Sequence, residues 1–159
     1  MAYSLIQRRL KLNVAYLTVS STDVSISAND TVAFSSPTDL IGSTASGYSV
    51  SSGVITLPSG YWYLLKSQLM VRLSDRQGYV KHIWRDSSNN DLGRRGTLIM
   101  QEEPHAFGGD EIAIALVDCT SASKDVKVSI ESLSDVNVLN YSLYTEWVGG
   151  MRAEIWRLG

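Results

Sequence analysis

Residues 50–73, VSSGVITLPSGYWYLLKSQLMVRL, constrain the fold of this chain more than any other stretch. A short apolar run, Val54 to Leu57, meets Pro58-Ser59-Gly60 and is answered by a longer run that reads in period two. Tyr61, Tyr63, Leu65, Leu69, Val71 and Leu73 share one face, while Lys66, Gln68 and Arg72 share the other with Trp62, Leu64 and Met70. Such alternation belongs to a strand with one core face, so the stretch reads as a hairpin entering a long buried strand.

The other segments read as strands laid against it. Leu12 to Ser20, Val24 to Ser27 and Thr31 to Phe34 alternate β-branched or aromatic residues with polar ones. Ser35 to Gly47, which carries Pro37 and Gly42, reads as a loop. Gly78 to Arg85 and Thr97 to Gln101 form a hairpin around the polar cluster from Asp86 to Gly93. In Glu111 to Val117, Ile112, Ile114 and Leu116 occupy one face and Ala113, Ala115 and Val117 the other, which predicts an inner strand covered on both sides. Val126, Val128 and Ile130 alternate with Lys127, Ser129 and Glu131 as a one-sided strand. Leu139, Tyr141, Leu143 and Trp147 keep the period, and Met151 to Leu158 closes the chain. About ten short antiparallel strands without an amphipathic helix predict an all-β, jelly-roll β-sandwich over residues 12–159, preceded by a short N-terminal arm over residues 1–11. The arm itself shows no decisive period, leaving helix and strand both open.

Length allows one domain, since 159 residues bury roughly two thirds of the unfolded surface without staples. Arg8, Arg9 and Lys11 give the arm +3, and the other 11 basic and 16 acidic residues leave the body at −5. An acidic body lacks the clustered basic face that phosphate contacts need, so no nucleic-acid partner is expected. No apolar run approaches the ~20 residues of a membrane span, and MAYSLIQRRLKL has no signal-peptide core, so no membrane partner is expected either. Cys119 is the only cysteine, which excludes an intrachain disulfide and a thiolate zinc cluster and suggests folding in a reducing compartment.

No constellation for catalysis is present. Gly108-Gly109-Asp110-Glu111 spells a diguanylate cyclase signature, but the α/β surroundings of that site are missing, so it reads as a turn before a strand. Asp86, Ser88, Asn90 and Asp91 have some of the oxygen spacing of a calcium loop, yet the sixth position has no glycine and Thr97 stands where a bidentate Glu belongs. His82 and His105 stand apart without ligand spacing and read as surface or interface side chains. No serine sits in a nucleophile elbow, and Cys119 reads as a small buried hydrophobe. No catalytic residue, metal or cofactor is expected.

The segment Ser51 to Tyr63, with its Pro-Ser-Gly-Tyr turn, resembles the entry to the aromatic strand of tumour necrosis factor-like and complement-head-like jelly rolls. Gly109-Asp110-Glu111-Ile112-Ala113-Ile114 is similar to the entry of a late strand of that fold, and Trp147-Val148-Gly149-Gly150 only loosely matches its aromatic-glycine-aromatic ending. Such domains occur among small structural proteins of tailed bacteriophages, whose Ser/Thr/Gly-rich, single-cysteine style this chain resembles. The resemblance implies a homotrimer, and Trp62, Trp84, Tyr144 and Trp156, which alternate with the core faces, are its interface candidates. It implies a capsid decoration or cement protein on the virion surface, made in the host cytoplasm, with the major capsid protein or another virion protein as partner. Arg8, Arg9 and Lys11 would then be a docking arm, three copies of which add avidity; the same residues also suit a solvated terminus. The alternative is a receptor-binding knob of a head or tail fibre that recognises a host glycan or protein through Asn89, Asn90 and Arg94, its arm seated in a separate shaft protein.

Overall fold

The computed structural model describes residues 13–19, 24–35, 38–41, 47–69, 71–73, 77–101, 111–134, 141–143 and 152–158. Thirteen strands appear among them: β1 (Asn13–Thr18), β2 (Val24–Ser25), β3 (Thr38–Ile41), β4 (Ser49–Ser51), β5 (Val54–Leu57), β6 (Trp62–Gln68), β7 (Val71–Leu73), β8 (Gln77–Asp86), β9 (Asp91–Gln101), β10 (Ala113–Asp118), β11 (Lys124–Leu133), β12 (Tyr141–Leu143) and β13 (Arg152–Leu158). Ten make one sheet in the order β3-β1-β13-β6-β10-β9-β8-β11-β5-β4, and β2-β12-β7 make a small second sheet. The large sheet folds over on itself at β10–β9, where Ile114 opposite Arg94 is the one registered pair. The halves on either side become the two layers of an all-β jelly roll.

Alternation explains the core between them. Ala15 and Leu17 of β1, Ile155 of β13, Tyr63 and Leu65 of β6 and Ala113, Ala115 and Val117 of β10 face Leu98, Val80, Trp84, Val126, Val128, Ile130, Ile55 and Leu57 of the other layer. The corner demands glycine. At Gly93 φ is +69°, and a Cβ would lie 2.1 Å from the Ile114 carbonyl oxygen. A Cβ on Gly96 would lie 2.7 Å from the Ala113 amide nitrogen and 2.3 Å from the His82 ring.

Several expectations are corrected. The Pro58-Ser59-Gly60 turn does not make a hairpin: β5 pairs with β4 and β11, whereas β6 pairs with β10 and β13 in the opposite layer. The chain crosses the sandwich there, held by Gly60 N–H donating to the Cys119 carbonyl at 2.8 Å, Cys119 N–H to the Tyr61 carbonyl at 3.0 Å and the Tyr63 hydroxyl to the Pro58 carbonyl at 3.0 Å. Strand β6 stops at Gln68, and Val71–Leu73 pairs with β12 instead. The expected loop over Ser35 to Gly47 contains β3, an edge strand of the large sheet. Thr31 to Phe34 makes only isolated bridges. The turn between β8 and β9 is shorter than its composition suggests, since Asp91, Leu92 and Gly93 already belong to β9.

Gly93→Ala combines a left-handed backbone with a backbone clash, and is expected to lower the unfolding free energy by more than about 2 kcal/mol. Urea denaturation checks this; a loss under about 0.5 kcal/mol, ordinary for a surface change, would contradict the corner as described.

Candidate interaction surfaces

Strands β13, β6 and β10 lie side by side, and their registers fix a grid on the outward face. Leu158, Trp62 and Asp118 form one row, Trp156, Leu64 and Leu116 the next, and Glu154, Lys66 and Ile114 the third. Large apolar side chains stand open along β10 and beside it: Leu116 is 58% exposed, Trp62 42%, Ile112 38% and Ile114 37%. The inward side of β10 holds only Ala113, Ala115 and Val117, all buried. The strand therefore carries its small residues inside and its large ones outside, and within one chain only one of its faces is covered, contrary to the sequence reading.

On the β13 side the same face is polar and already paired. Glu154, 9% exposed, accepts from Trp156 Nε1 at 3.0 Å through one oxygen and from Arg152 Nε at 3.0 Å through the other. Lys66 Nζ stands 4.9 Å over the Trp156 ring. These contacts hold Trp156 in a half-buried position, with the Lys66 ammonium within cation–π range.

Of the four interface candidates, Trp62 and Trp156 are brought together on this face, two rows of one grid. Trp84 is not: it is fully buried in the sandwich core, so it offers nothing to a partner. Its register was legible, but strand alternation cannot tell which side of an inner strand is wet. Tyr144 lies outside the described residues, as do Arg8, Arg9 and Lys11. Ile112, Ile114 and Leu116, which dominate the face, were placed in the core by sequence reasoning; the smallness of Ala113 and Ala115 opposite them was the available signal.

The turn between β8 and β9 is a second exposed feature. Asp86 Oδ1 accepts from the amides of Ser88 at 2.9 Å and Asn90 at 2.8 Å, and Oδ2 from Asn90 Nδ2 at 2.8 Å, with Asn89 at φ +64° completing the turn. The Asn90 side chain and amide hold the Asp86 carboxyl below the usual carboxylate range. Asn89 and Asn90 thus sit exposed at the tip, whereas Arg94 lies on β9 opposite Ile114 and pairs with Glu111 at 3.4 Å, so the three do not form one loop site. On the outer side of this layer Arg95 bridges Asp91 and both Glu131 oxygens, which raises its pKa, and Arg85 also binds Asp91.

A cleft of about 380 Å³ lies between this tip and the β10–β11 turn, lined among others by Leu92, Leu116, Asp86, Asp118, Lys124 and Asp125. Its carboxylates are engaged: Asp118 with the amide and hydroxyl of Thr120, at 2.9 and 2.6 Å, and Asp125 with the Thr56 hydroxyl at 2.7 Å. Among the described residues no three His, Cys, Asp or Glu side chains converge as a metal site would require. Cys119 is buried, and burial raises its thiol pKa, which leaves an inert side chain. His82, expected at the surface, is fully buried; His105 lies outside the described residues.

No protein-family model matches the chain, and no curated protein matches it. Solved structures do. The chain is similar to Eiger TNF from S. frugiperda, with a TM-score of 0.61 at 14% identity, covering 94% of each chain. It is similar to murine APRIL at pH 5.0 (TM-score 0.57, 14% identity) and at pH 8.0 (0.54, 11%), in each case with 93% of this chain and 100% of the other covered.

Because both carboxylate oxygens of Asp86 are engaged within the turn, added calcium is expected to leave the melting temperature unchanged. Asp86→Ala is expected to speed amide exchange at Ser88 and Asn90, read by hydrogen–deuterium exchange; a calcium-dependent rise in melting temperature would contradict this account of the tip. Strand order, register and these likenesses together establish that the chain has a tumour necrosis factor-like jelly-roll fold.

Proposed function

We propose that this chain is a non-enzymatic, self-associating structural module, a homotrimer assembled through the outer face of β13, β6 and β10. The observation that carries this reading is the inverted polarity of β10. Each large aliphatic side chain left in water forgoes about 1.5–3 kcal/mol of burial, and a second copy laid over Leu116, Ile114 and Trp62 recovers it. The neighbouring Lys66–Trp156–Glu154–Arg152 contacts supply a polar rim whose charges are already partnered. Three as the number of copies follows from the resemblance to tumour necrosis factor-like jelly rolls. Against an enzyme stand the engaged carboxylates of the cleft, the sealed His82 and the buried Cys119.

The setting we propose is the surface of a bacteriophage virion, where the trimer decorates the capsid and stabilises it by mass action, docking through the arm that carries Arg8, Arg9 and Lys11. This part of the reading rests on the sequence resemblance. A second reading, a receptor-binding knob, is favoured by the rigid, exposed tip at Asn89 and Asn90.

The purified protein is expected to show the native mass of three 17.5 kDa chains by light scattering. Leu116→Asp is expected to yield a monomer with unchanged circular dichroism, because a side chain this exposed adds little to the single chain. A wild-type monomer would sink the assembly. Saturable binding to undecorated capsids that is lost on deleting residues 1–11 supports decoration; binding to cells or glycans that is lost in Asn89 or Asn90 variants supports the knob.

A further inference from the structure

We propose that His82 is an acid-sensitive latch between the two layers of the sandwich, whose protonation parts β8 from β6 and disperses the assembly built on the outer face of β6; the second half rests on the self-association reading above.

The ring is enclosed on every described side. His82 points inward from β8 between Val80 and Trp84 and has no exposed surface. Its Nε2 lies 3.1 Å from the Ser67 carbonyl oxygen on β6, in the opposite layer, so this nitrogen carries the hydrogen and donates. On the β9 side Gly96 comes so close that a Cβ would lie 2.3 Å from the His82 Cε1 atom. Ile130 of β11 is its register partner. The remaining nitrogen, Nδ1, is buried without a hydrogen-bond partner among the described residues. A second proton must be added there, at a nitrogen with no acceptor among the described residues.

No described counter-ion waits for that charge. On β8, Lys81 and Arg85 alternate to the opposite face; on β6, Lys66 lies outward over Trp156; on β11, Lys127 and Glu131 lie outward, and Arg95 of β9 is bound to Glu131 and Asp91. Arg94 pairs with Glu111 at the surface, and Asp118 of β10 is exposed. The buried residues of the neighbouring strands, Ser67 and Leu65 of β6, Leu98 of β9, Val128 and Ile130 of β11 and Ala113 of β10, with Leu69 just beyond β6, carry no charge. Burial correspondingly lowers the His82 pKa below 6.5, with the Ser67 carbonyl opposing part of the shift.

The sign follows from linkage. With the folded value depressed, the unfolded chain takes the proton more readily, so stability is complete above about pH 6.5 and is lost as pH falls toward the folded value. The unfolding constant then rises by up to about tenfold per pH unit. Strand β6 transmits the change, because Ser67 faces the latch while Lys66, Leu64 and Trp62 face the proposed partner copies.

Wild type and His82→Gln, which keeps a donor for the Ser67 carbonyl but cannot titrate, are compared by urea denaturation and native mass between about pH 8 and about pH 5. In the wild type the unfolding constant is expected to climb below about pH 6.5 and the native mass to fall over the same interval, with neither change in His82→Gln. Equal pH slopes in the two proteins overturn the latch. Should His82→Gln not fold, deuterium exchange at the imidazole Cε1–H of the folded wild type decides, with His105 in the same molecule for comparison: slow exchange with a low midpoint supports the latch, and an ordinary rate with a midpoint near 6.5 overturns it. A monomer at neutral pH whose stability still depends on His82 overturns self-association and the dispersal step alone. A stable assembly without that dependence overturns the latch alone.

Discussion

The contact on which this structure depends is the approach of β9 to β10 at Gly93 and Gly96. Nothing but hydrogen fits there, since the β10 backbone occupies the space of a side chain. That approach turns one continuous ten-stranded sheet through a corner and brings its halves face to face, so that Leu98 and Trp84 meet Tyr63 and Leu65 across a single core. It also limits what β10 can carry. Close to the corner the interior is shallow, and only Ala113, Ala115 and Val117 fit inside. The bulk of the strand is displaced outward onto Ile112, Ile114 and Leu116.

A strand of this polarity is poorly suited to a free monomer, because its exterior loses the burial free energy that its interior residues are too small to supply. Its neighbours limit the effect. Trp156 is held down by Lys66 on one side and by Glu154 on the other, so the aromatic surface on β13 is partly spent within the chain. On this layer the open apolar surface of the described residues gathers on β10 and the Trp62 end of β6, while Ile99 of β9 and Tyr79 of β8 stand exposed as a separate pair on the other layer. The surface on β10 and β6 has the shape of a bounded contact area, with a polar side that fixes orientation.

The strands themselves were legible because a period of two survives in nearly every segment, from Val14–Leu17 to Ala153–Ile155. What was not legible is which strand each one meets. Pro58-Ser59-Gly60 has the same turn chemistry whether the chain doubles back beside β5 or crosses to the other layer, and only the bonds to Cys119 and Tyr63 decide it. Likewise, alternation separates the two faces of a strand without saying which is dry: β10 reads as covered on both sides although Ile114 is exposed, and Trp84 of β8 reads as an interface residue although it is buried. His82 was misplaced by its polarity alone: a single buried hydrogen bond to Ser67 admits it to the core, and a pairwise contact between distant strands leaves no local trace.

The same distinction separates the exposed polar features from functional chemistry. Asp86, Asp118 and Asp125 converge on one cleft, and in the sequence the first of these stands in a stretch with some of a cation loop's spacing. Yet each carboxylate is bound to groups of its own turn or of the adjoining strand, so its lone pairs serve to close the ends of β8, β10 and β11. A carboxylate oxygen that closes a turn in this way takes a further ligand in competition with those bonds. These carboxylates thus serve the turns that carry them, whereas the large side chains on the outer face of β10 have no partner within the described residues that covers them.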